Sequence, residues 1–300
     1  MRAERIGGAT LYPGTMEKTI GNIRQADHIL TDPPYLYIKT HGFDKAWDEQ
    51  LFFENAKRLL PDDGFIALFG RGTSFYRWNT RLADLGFIFK EEIVWNKKRT
   101  SGITKSVSRV HETVSLHTKK TGILRQSYIP YEEIREGNYT QIKQEVGRLS
   151  GALKNSEGLR KLQKYLETKQ LEFSNTRLTR HKISNGTGKV EDTYCRVMKY
   201  IEEGIVEKSI IDLPRTIIKP VHPTEKPVRL AERILALISD PGDTIYDPFM
   251  GSGSFGVACI RTGRKYIGSE MKSEYFETAR KRIAEAINEA ACLWDNREAV

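Results

Sequence analysis

Asp247-Pro248-Phe249-Met250-Gly251-Ser252-Gly253 is the stretch that decides the fold. It follows a short apolar strand predicted at residues 244–246 and precedes a helix predicted at residues 254–262. A glycine-rich loop at such a junction is typical of α/β folds that bind nucleotides, because glycine lets the backbone approach a ligand closely. With Gly256, this glycine loop (residues 247–253) also has the G-x-G-x-x-G spacing of a dinucleotide site. An ordinary turn between a strand and a helix is the alternative.

The charge around the glycine loop narrows the class of ligand. Asp247 would repel a pyrophosphate, but it suits a ligand that carries an ammonium group. Glu270 ends the next predicted strand, 17 residues after Gly253, where a carboxylate can accept hydrogen bonds from two ribose hydroxyls. A ligand with a ribose, an ammonium group and no phosphate indicates S-adenosylmethionine. Taken alone, Glu270 also fits a solvated surface acid.

A second motif, Asp32-Pro33-Pro34-Tyr35, follows a strand predicted at residues 27–31. The exocyclic amine of adenine or cytosine is a poor nucleophile because its lone pair is delocalised into the ring. Two acceptors on its N–H groups localise that pair and stabilise the charge that develops on nitrogen. The Asp32 carboxylate and the Pro33 carbonyl, held by the restricted proline backbone, can be those acceptors. Tyr35 can stack on the base, worth roughly 1–3 kcal/mol, once the base has left the duplex. A tight turn after a strand is the alternative, since Pro-Pro favours one.

Strands and helices alternate along most of the chain, which predicts an α/β fold with a mostly parallel sheet and helices on both faces. Apolar runs predict further strands at residues 65–69, 87–89 with 93–95, 113–117 and 265–268, and helical spacing predicts helices at residues 49–60, 74–84, 227–239 and 273–291. Trp47 and Trp78 are interpreted as packing residues. Between about residues 119 and 215 the pattern changes to helical spacing over 142–171 and a polar, basic loop over 174–190. We interpret this segment as an insertion with a separate role.

Basic charge is concentrated in the insertion. The 300-residue chain has a net charge of +9, and residues 119–219 carry 20 Lys and Arg against 13 Asp and Glu. Such an excess indicates a polyanionic partner such as nucleic acid, although a generic basic protein has it too. The polar inserted loop supplies the candidate phosphate contacts, for which a solvated charged face is the alternative. These residues are Arg177, Arg180, Lys182 and Lys189.

Several features limit the class of protein. The chain has no run of about eighteen apolar residues, and its first five residues lack the apolar stretch of a secretory signal. Cys195, Cys259 and Cys292 are scattered singly, and the six His residues have no metal-ligand spacing. We therefore expect a cytoplasmic protein with no membrane span, disulfide framework or metal site.

Together the motifs resemble the beta class of DNA amino-methyltransferases. In that class D-P-P-Y comes first, a target-recognition segment is central and F-x-G-x-G comes last. The resemblance covers about residues 10–118 and 218–290, and three further pieces support it. His222-Pro223-Thr224-Glu225-Lys226-Pro227 resembles the family's H-P-T-x-K-P element, Ile93-Val94-Trp95-Asn96-Lys97 resembles the strand after the target-base pocket, and His111-Glu112 resembles the element that follows.

The resemblance implies a Rossmann-like, seven-stranded methyltransferase sheet with an inserted, mainly helical target-recognition segment. Residues 1–118 would be the catalytic half, 119–217 the insertion and 218–300 the cofactor-binding half of one methyltransferase domain. The implied reaction is methyl transfer from S-adenosylmethionine to adenine N6 of a flipped-out base in double-stranded DNA. Adenine is implied because, in this family, Asp at the first position of D-P-P-Y usually accompanies adenine N6, whereas Ser accompanies cytosine N4. The implied target-base residues are Asp32, Pro33, Pro34 and Tyr35, and the implied cofactor contacts are Asp247, Phe249, Gly251, Gly253, Glu270, Thr224 and Lys226.

The chain departs from the family pattern after its first short strand. Family members often have L-Y-x-G-D there, whereas this sequence has Leu11-Tyr12-Pro13-Gly14-Thr15 and lacks the acidic residue that usually lies near the adenine of the cofactor. Asp27 is a candidate to compensate. The alternatives left open are cytosine-N4 or RNA adenine methylation, protein glutamine methylation and a catalytically silent DNA-binding subunit. The partners left open are a second copy of the chain and a cognate restriction enzyme.

Overall fold

The computed structural model describes residues 2–35, 46–98, 107, 110–130, 204–214 and 225–298, together with the isolated positions 133, 147, 160, 163–164, 167–168 and 203. Side chains are described through residue 292. Apart from those isolated positions, the helices predicted over 142–171 and the polar loop predicted over 174–190 lie outside the described residues.

Within the described part of the chain, nine strands form one sheet. In the order β1-β2-β11-β10-β3-β4-β6-β5-β9, they are β1 (Glu4–Ile6), β2 (Ala9–Pro13), β11 (Lys265–Glu270), β10 (Thr244–Asp247), β3 (His28–Thr31), β4 (Phe65–Gly70), β6 (His111–Thr118), β5 (Ile88–Asn96) and β9 (Ile210–Asp212). Two short strands, β7 (Tyr128–Ile129) and β8 (Ile205–Val206), form a separate antiparallel pair.

Five neighbouring strands at the centre of the sheet, β2, β11, β10, β3 and β4, run parallel to one another. β6 is antiparallel to both β4 and β5, so β5 points in the same direction as the parallel five. Every residue of β3 and β4 is buried, as expected of strands that are covered on both faces.

The helices pack in two groups on opposite faces of the sheet. One apolar cluster includes residues of α4 (Val228–Ile238), α5 (Ser254–Arg261) and α6 (Ser273–Glu298), and the other includes residues of α1 (Met16–Thr19), α2 (Glu49–Leu59) and α3 (Gly72–Asp84). β4 contributes to both clusters in alternation: Phe65, Ala67 and Phe69 pack in the first cluster, and Ile66 and Leu68 in the second. This alternation follows from the two-residue period of a strand.

The chain divides into two compact units, residues 1–126 with 208–300, and residues 127–207. The insertion predicted at residues 119–217 therefore contains the second unit, but its described ends belong to the first. Residues 119–126 belong to the first unit. So does β9, which lies within the predicted insertion and pairs parallel with β5 at the edge of the large sheet.

The predicted α/β class with a mostly parallel sheet is confirmed. The seven expected strands match β2, β3, β4, β5, β6, β10 and β11, and the structure adds three-residue strands at both edges, β1 and β9. Three residues are too few to show a two-residue period in a sequence. Of the helices that the structure describes, none is both long and apolar enough to cross a membrane.

Candidate active site

The two sequence motifs lie at the same edge of the sheet. β3, β10 and β11 are neighbouring parallel strands, and Asp32, Asp247 and Glu270 lie at or directly after their carboxyl ends. We call this the carboxyl edge. In open α/β sheets, ligands bind outside the carboxyl ends of the strands. The fold thus brings together Asp32 and Asp247, which are 215 positions apart in the sequence.

Asp32 has hydrogen-bond donors on both carboxylate oxygens. The Tyr35 hydroxyl donates to Oδ1, and the Lys226 ammonium donates to Oδ2. Only 16% of the Asp32 side chain is exposed. Burial raises the pKa of Asp32 because it disfavours the charged form, and the nearby ammonium of Lys226 opposes that shift. The Ser74 hydroxyl donates to the Tyr35 carbonyl at 3.1 Å and so fixes the end of the D-P-P-Y turn (residues 32–35).

Trp47 connects the D-P-P-Y turn to the glycine loop. Its indole N–H donates to the Pro34 carbonyl at 3.1 Å, and its ring meets the Phe249 ring edge-on, with centroids 5.1 Å apart. The sequence assigned Trp47 a packing role alone, because a bond between side chain and backbone 13 positions apart has no local signature. Since one side chain contacts both motifs, Trp47 fixes their relative position.

A chain of alternating charges extends from Asp32. Lys226 Nζ lies 3.3 Å from Glu112 Oε2, and Lys97 Nζ donates to Glu112 Oε1 at 2.9 Å. Burial alone would raise the pKa of Glu112, but the two ammonium groups outweigh it and lower that pKa to about 2. Burial likewise opposes the charged form of Lys226, yet Asp32 and Glu112 raise its pKa. The sequence predicted a cofactor contact for Lys226; the structure pairs it with these two carboxylates, and the cofactor contact stays a prediction.

Gly251 and Gly253 have different environments in the glycine loop. Both have positive φ, +54° and +79°, a conformation that favours glycine. A Cβ atom on Gly253 would lie 2.8 Å from Cβ of Ala279 on α6, whereas no described atom lies within 4 Å of a Cβ on Gly251. Gly253 therefore permits close packing, and Gly251 presents an open side to a ligand.

Glu270 closes the other side of the glycine loop. Its Oε2 accepts from the Gly251 N–H at 2.9 Å, and its Oε1 accepts from the Lys272 N–H at 2.8 Å. Burial raises the pKa of Glu270. The Met271 N–H also donates to this carboxylate. The two oxygens together have about four lone-pair sites, so a site remains for a hydroxyl donor. The diol contact that the sequence predicted stays a prediction.

Asp247 is fully buried beneath the glycine loop. Its Oδ1 accepts from the Thr31 hydroxyl at 3.0 Å and from the Phe249 N–H at 3.1 Å, and its Oδ2 accepts from the Tyr266 hydroxyl at 3.0 Å. Burial raises its pKa to about 7. Asp247 thus links β10 to the end of β3 and, through the Tyr266 side chain, to β11. The sequence expected this carboxylate to contact the ammonium of a ligand, and that contact stays a prediction.

Arg282 on α6 supports the glycine loop from behind. Its Nη1 donates to the Ser252 carbonyl at 2.8 Å, and its Nη2 pairs with Glu225 Oε1 at 2.8 Å. Through these two contacts, Arg282 joins the glycine loop to the segment that contains Lys226. Sequence reasoning missed Arg282, because it belongs to a helix with no motif of its own.

Several predicted residues lie outside the described part of the chain, and one described residue lies away from the site. Thr224 and the four predicted DNA contacts, Arg177, Arg180, Lys182 and Lys189, lie outside the described residues. Asp27 lies at the opposite end of the sheet from the motifs, where its carboxylate accepts from the Thr244 N–H at 2.7 Å, at the amino end of β10. It therefore does not replace the acidic residue that is missing after Gly14.

A mostly parallel sheet with an open glycine loop and a D-P-P-Y turn at one edge is the arrangement of an amino-methyltransferase. The chain belongs to the DNA methylase family of N6 and N4 enzymes, whose model matches residues 26–281. It is 25% identical over 293 aligned residues to the type II methyltransferase M.HinfI of Haemophilus influenzae. That alignment covers 89% of this chain and 65% of M.HinfI, so the chain spans less than two thirds of that relative.

Two solved structures share the fold. The complex of M1.HpyAVI with S-adenosylmethionine has a TM-score of 0.55 at 22% identity, and the match covers 91% of this chain and 99% of that one. The PvuII DNA methyltransferase, which is cytosine-N4-specific, has a TM-score of 0.52 at 17% identity, with 96% of each chain covered. At these identities the likeness concerns the fold.

Proposed function

We propose that this protein transfers a methyl group from S-adenosylmethionine to adenine N6 of a base flipped out of double-stranded DNA. The observation that carries the proposal is the position of the partly buried Asp32 carboxylate at the same sheet edge as the open side of Gly251 and the carboxylate of Glu270. An amine held by Asp32 and a nucleoside ligand held by Gly251 and Glu270 would thus meet at one edge, as the reaction requires.

The residues of the carboxyl edge fit the proposed cofactor. An added Cβ on Gly251 would meet no described atom within 4 Å, so a ligand can approach that backbone closely. Glu270 keeps a lone-pair site beside Gly251 for a ribose hydroxyl after it has accepted from three backbone N–H groups. Bound there, S-adenosylmethionine supplies an electrophilic methyl group on a sulfonium.

Asp32 and Pro33 act on the target amine. The carboxylate and the carbonyl accept its two N–H bonds, which directs the nitrogen lone pair away from the ring and stabilises the positive charge that develops. Lys226 and Tyr35 occupy one lone pair on each Asp32 oxygen and leave another. Tyr35 and Trp47 keep the D-P-P-Y turn in place while the amine binds.

Adenine is the preferred base because the first residue of the turn is Asp32, the residue that the family habit associates with adenine N6. Cytosine N4 is the second candidate, since the same two acceptors fit any exocyclic amine and the PvuII enzyme shares the fold. DNA is the proposed partner because the net charge is +9 and its excess lies in the insertion. A cytoplasmic location and a role beside a restriction enzyme belong to the same proposal.

The test is transfer of labelled methyl from S-adenosylmethionine to long, mixed-sequence, unmethylated DNA, followed by digestion to nucleosides. Label in N6-methyldeoxyadenosine is the expected result. Label in N4-methyldeoxycytidine would replace the proposed base and keep the reaction. Label on RNA but not on DNA would replace the substrate. No label, with no calorimetric binding of S-adenosylmethionine, would favour a catalytically silent DNA-binding subunit. The missing acidic residue after Gly14 is the reason to consider that alternative.

A further inference from the structure

Lys226 is a buried cation that the reaction as described leaves without a task. Only 6% of its side chain is exposed, and its ammonium lies between two carboxylates, those of Asp32 and Glu112. It also lies 5.1 Å from the centre of the Phe69 ring. Lys97 pairs with the far oxygen of Glu112. The cluster of Asp32, Lys226, Glu112 and Lys97, the charge cluster, thus holds two positive and two negative groups in alternation.

The elements that carry the charge cluster are distant in sequence but adjacent at the carboxyl edge. Asp32 follows β3, Glu112 lies at the start of β6 and Lys97 follows β5. Because β6 is antiparallel to β5, Glu112 lies opposite Trp95, near the end of β5 and therefore beside Lys97. Lys226 precedes α4 and reaches across to both carboxylates.

We propose that Lys226, held in place by Glu112, is a positioning residue that keeps Asp32 a carboxylate and fixes the direction of its free lone pairs. This inference rests on the proposed function and assigns to Lys226 and Glu112 a role in preparing the amine acceptor. A buried carboxyl group tends to take up a proton, and a protonated Asp32 would accept hydrogen bonds more weakly. The Lys226 ammonium, bound to Oδ2, opposes that protonation.

Glu112 has two tasks in this proposal. It holds the flexible Lys226 side chain at one position, because the ammonium is bound from both sides. It also balances the Lys226 charge, which would otherwise repel a sulfonium and the positive charge that develops on the amine. Lys97 completes the balance and, together with Lys226, keeps Glu112 ionised.

The titratable and charged groups that face Asp32 come from several elements. Tyr35 donates to it within the turn, Lys226 donates to it from the segment before α4, and Glu112 faces it from β6. The Asp247 carboxyl of β10 interacts with Asp32, and Arg71 before α3 acts on Tyr35. Among these groups Lys226 is the cation that donates directly to Asp32, so its removal has a predictable sign.

The test is the carbon-13 titration of the Asp32 carboxyl in the free protein, labelled at aspartate, from about pH 4 to about pH 9. The signal is assigned by its loss in Asp32→Asn. In Lys226→Met, which has similar length and no charge, the midpoint is expected to rise by roughly one to three pH units. In Glu112→Gln the midpoint should stay or fall, because a neighbouring negative charge is lost. The double variant Glu112→Gln with Lys226→Met removes one charge of each sign and keeps the test available if Lys226→Met alone unfolds.

Methylation rates over the same pH range complete the test. In Lys226→Met, the pH at which the methylation rate falls on the acidic side should rise together with the Asp32 midpoint. Glu112→Gln should reduce kcat by about ten- to a hundredfold without raising that pH. Lys120→Met, which breaks an exposed pair with Asp62, is the matched control and should change neither. An Asp32 midpoint unchanged in Lys226→Met overturns the inference. If the midpoint rises but the wild type methylates no nucleic acid, the electrostatic inference holds and the proposed function fails.

Discussion

Replacement of Gly251 and Gly253 by alanine, one at a time, should separate two tasks of the glycine loop. Both residues have positive φ, so each alanine costs roughly 1–2 kcal/mol of backbone strain. A lower conformational entropy of the unfolded chain offsets about 0.4–1 kcal/mol of that cost. Gly251→Ala should therefore lower the free energy of unfolding by about 1 kcal/mol, because its Cβ meets no described atom within 4 Å.

Gly253→Ala adds a clash to the same strain. Its Cβ would lie 2.8 Å from Cβ and 2.9 Å from Cα of Ala279, and the backbone of α6 cannot move as easily as a flexible side chain. Overpacking of this kind costs roughly 1–3 kcal/mol. The expected loss in the free energy of unfolding is about 2–4 kcal/mol, measurably larger than for Gly251→Ala.

The affinity for the cofactor should follow the opposite order. The methyl group of Gly251→Ala enters the space where we place S-adenosylmethionine, and we expect at least about tenfold weaker binding. Denaturant titration gives the stability of each variant, and calorimetry gives the affinity. A Gly251→Ala variant that binds S-adenosylmethionine like the wild type would refute the placement of the ligand, and equal stabilities of the two variants would refute the assigned packing role of Gly253.

Three further predictions concern other parts of the site and fold. Arg282→Met removes a charged hydrogen bond to the glycine loop, worth roughly 1.5–3 kcal/mol, and should raise KM for S-adenosylmethionine more than it lowers kcat; an unchanged KM in steady-state kinetics would count against it. Trp47→Phe keeps an aromatic ring but loses the hydrogen bond to the Pro34 carbonyl. We expect kcat to fall by about tenfold and the free energy of unfolding to stay within about 1.5 kcal/mol of wild type. Burial lowers the pKa of His117 to about 4, whereas in the unfolded chain it is about 6.5; the unfolded state therefore binds the extra proton first, and stability should fall as pH drops from about 6.5 to about 4. His117→Gln should reduce that fall, and an unchanged pH dependence in denaturant titrations would contradict the assignment.

The central strands could be predicted from the sequence because burial on both faces leaves little choice of residue, and the helices because their apolar residues recur at helical spacing. The strand predicted at 65–69 is Phe65–Gly70, and the helices predicted at 49–60 and 227–239 are Glu49–Leu59 and Val228–Ile238. β5 is less regular. It continues through Lys90, Glu91 and Glu92, which are mostly exposed, and its register shifts between Phe89 and Glu91. Its apolar pattern is therefore interrupted in the middle.

The site was predictable where it consists of local motifs. The D-P-P-Y turn and the glycine loop are each contiguous, and parallel strands carry both to one edge. The contacts that join them were not predictable. Lys226 reaches Asp32 across 194 positions, and Trp47 and Arg282 contact the motifs from separate helices or loops. Such pairs depend on how the helices pack on the sheet, which no short pattern in the sequence encodes.

Asp32→Asn tests the central claim most directly. The side chain keeps its shape but loses its charge and one of its two acceptor oxygens. The measurement is the single-turnover rate of methyl transfer to the DNA substrate, with cofactor and DNA affinities measured in parallel. We predict a rate lower by about a hundred- to a thousandfold, with both affinities within about threefold of wild type. A variant that binds both partners and methylates at the wild-type rate would contradict the role assigned to the Asp32 carboxylate.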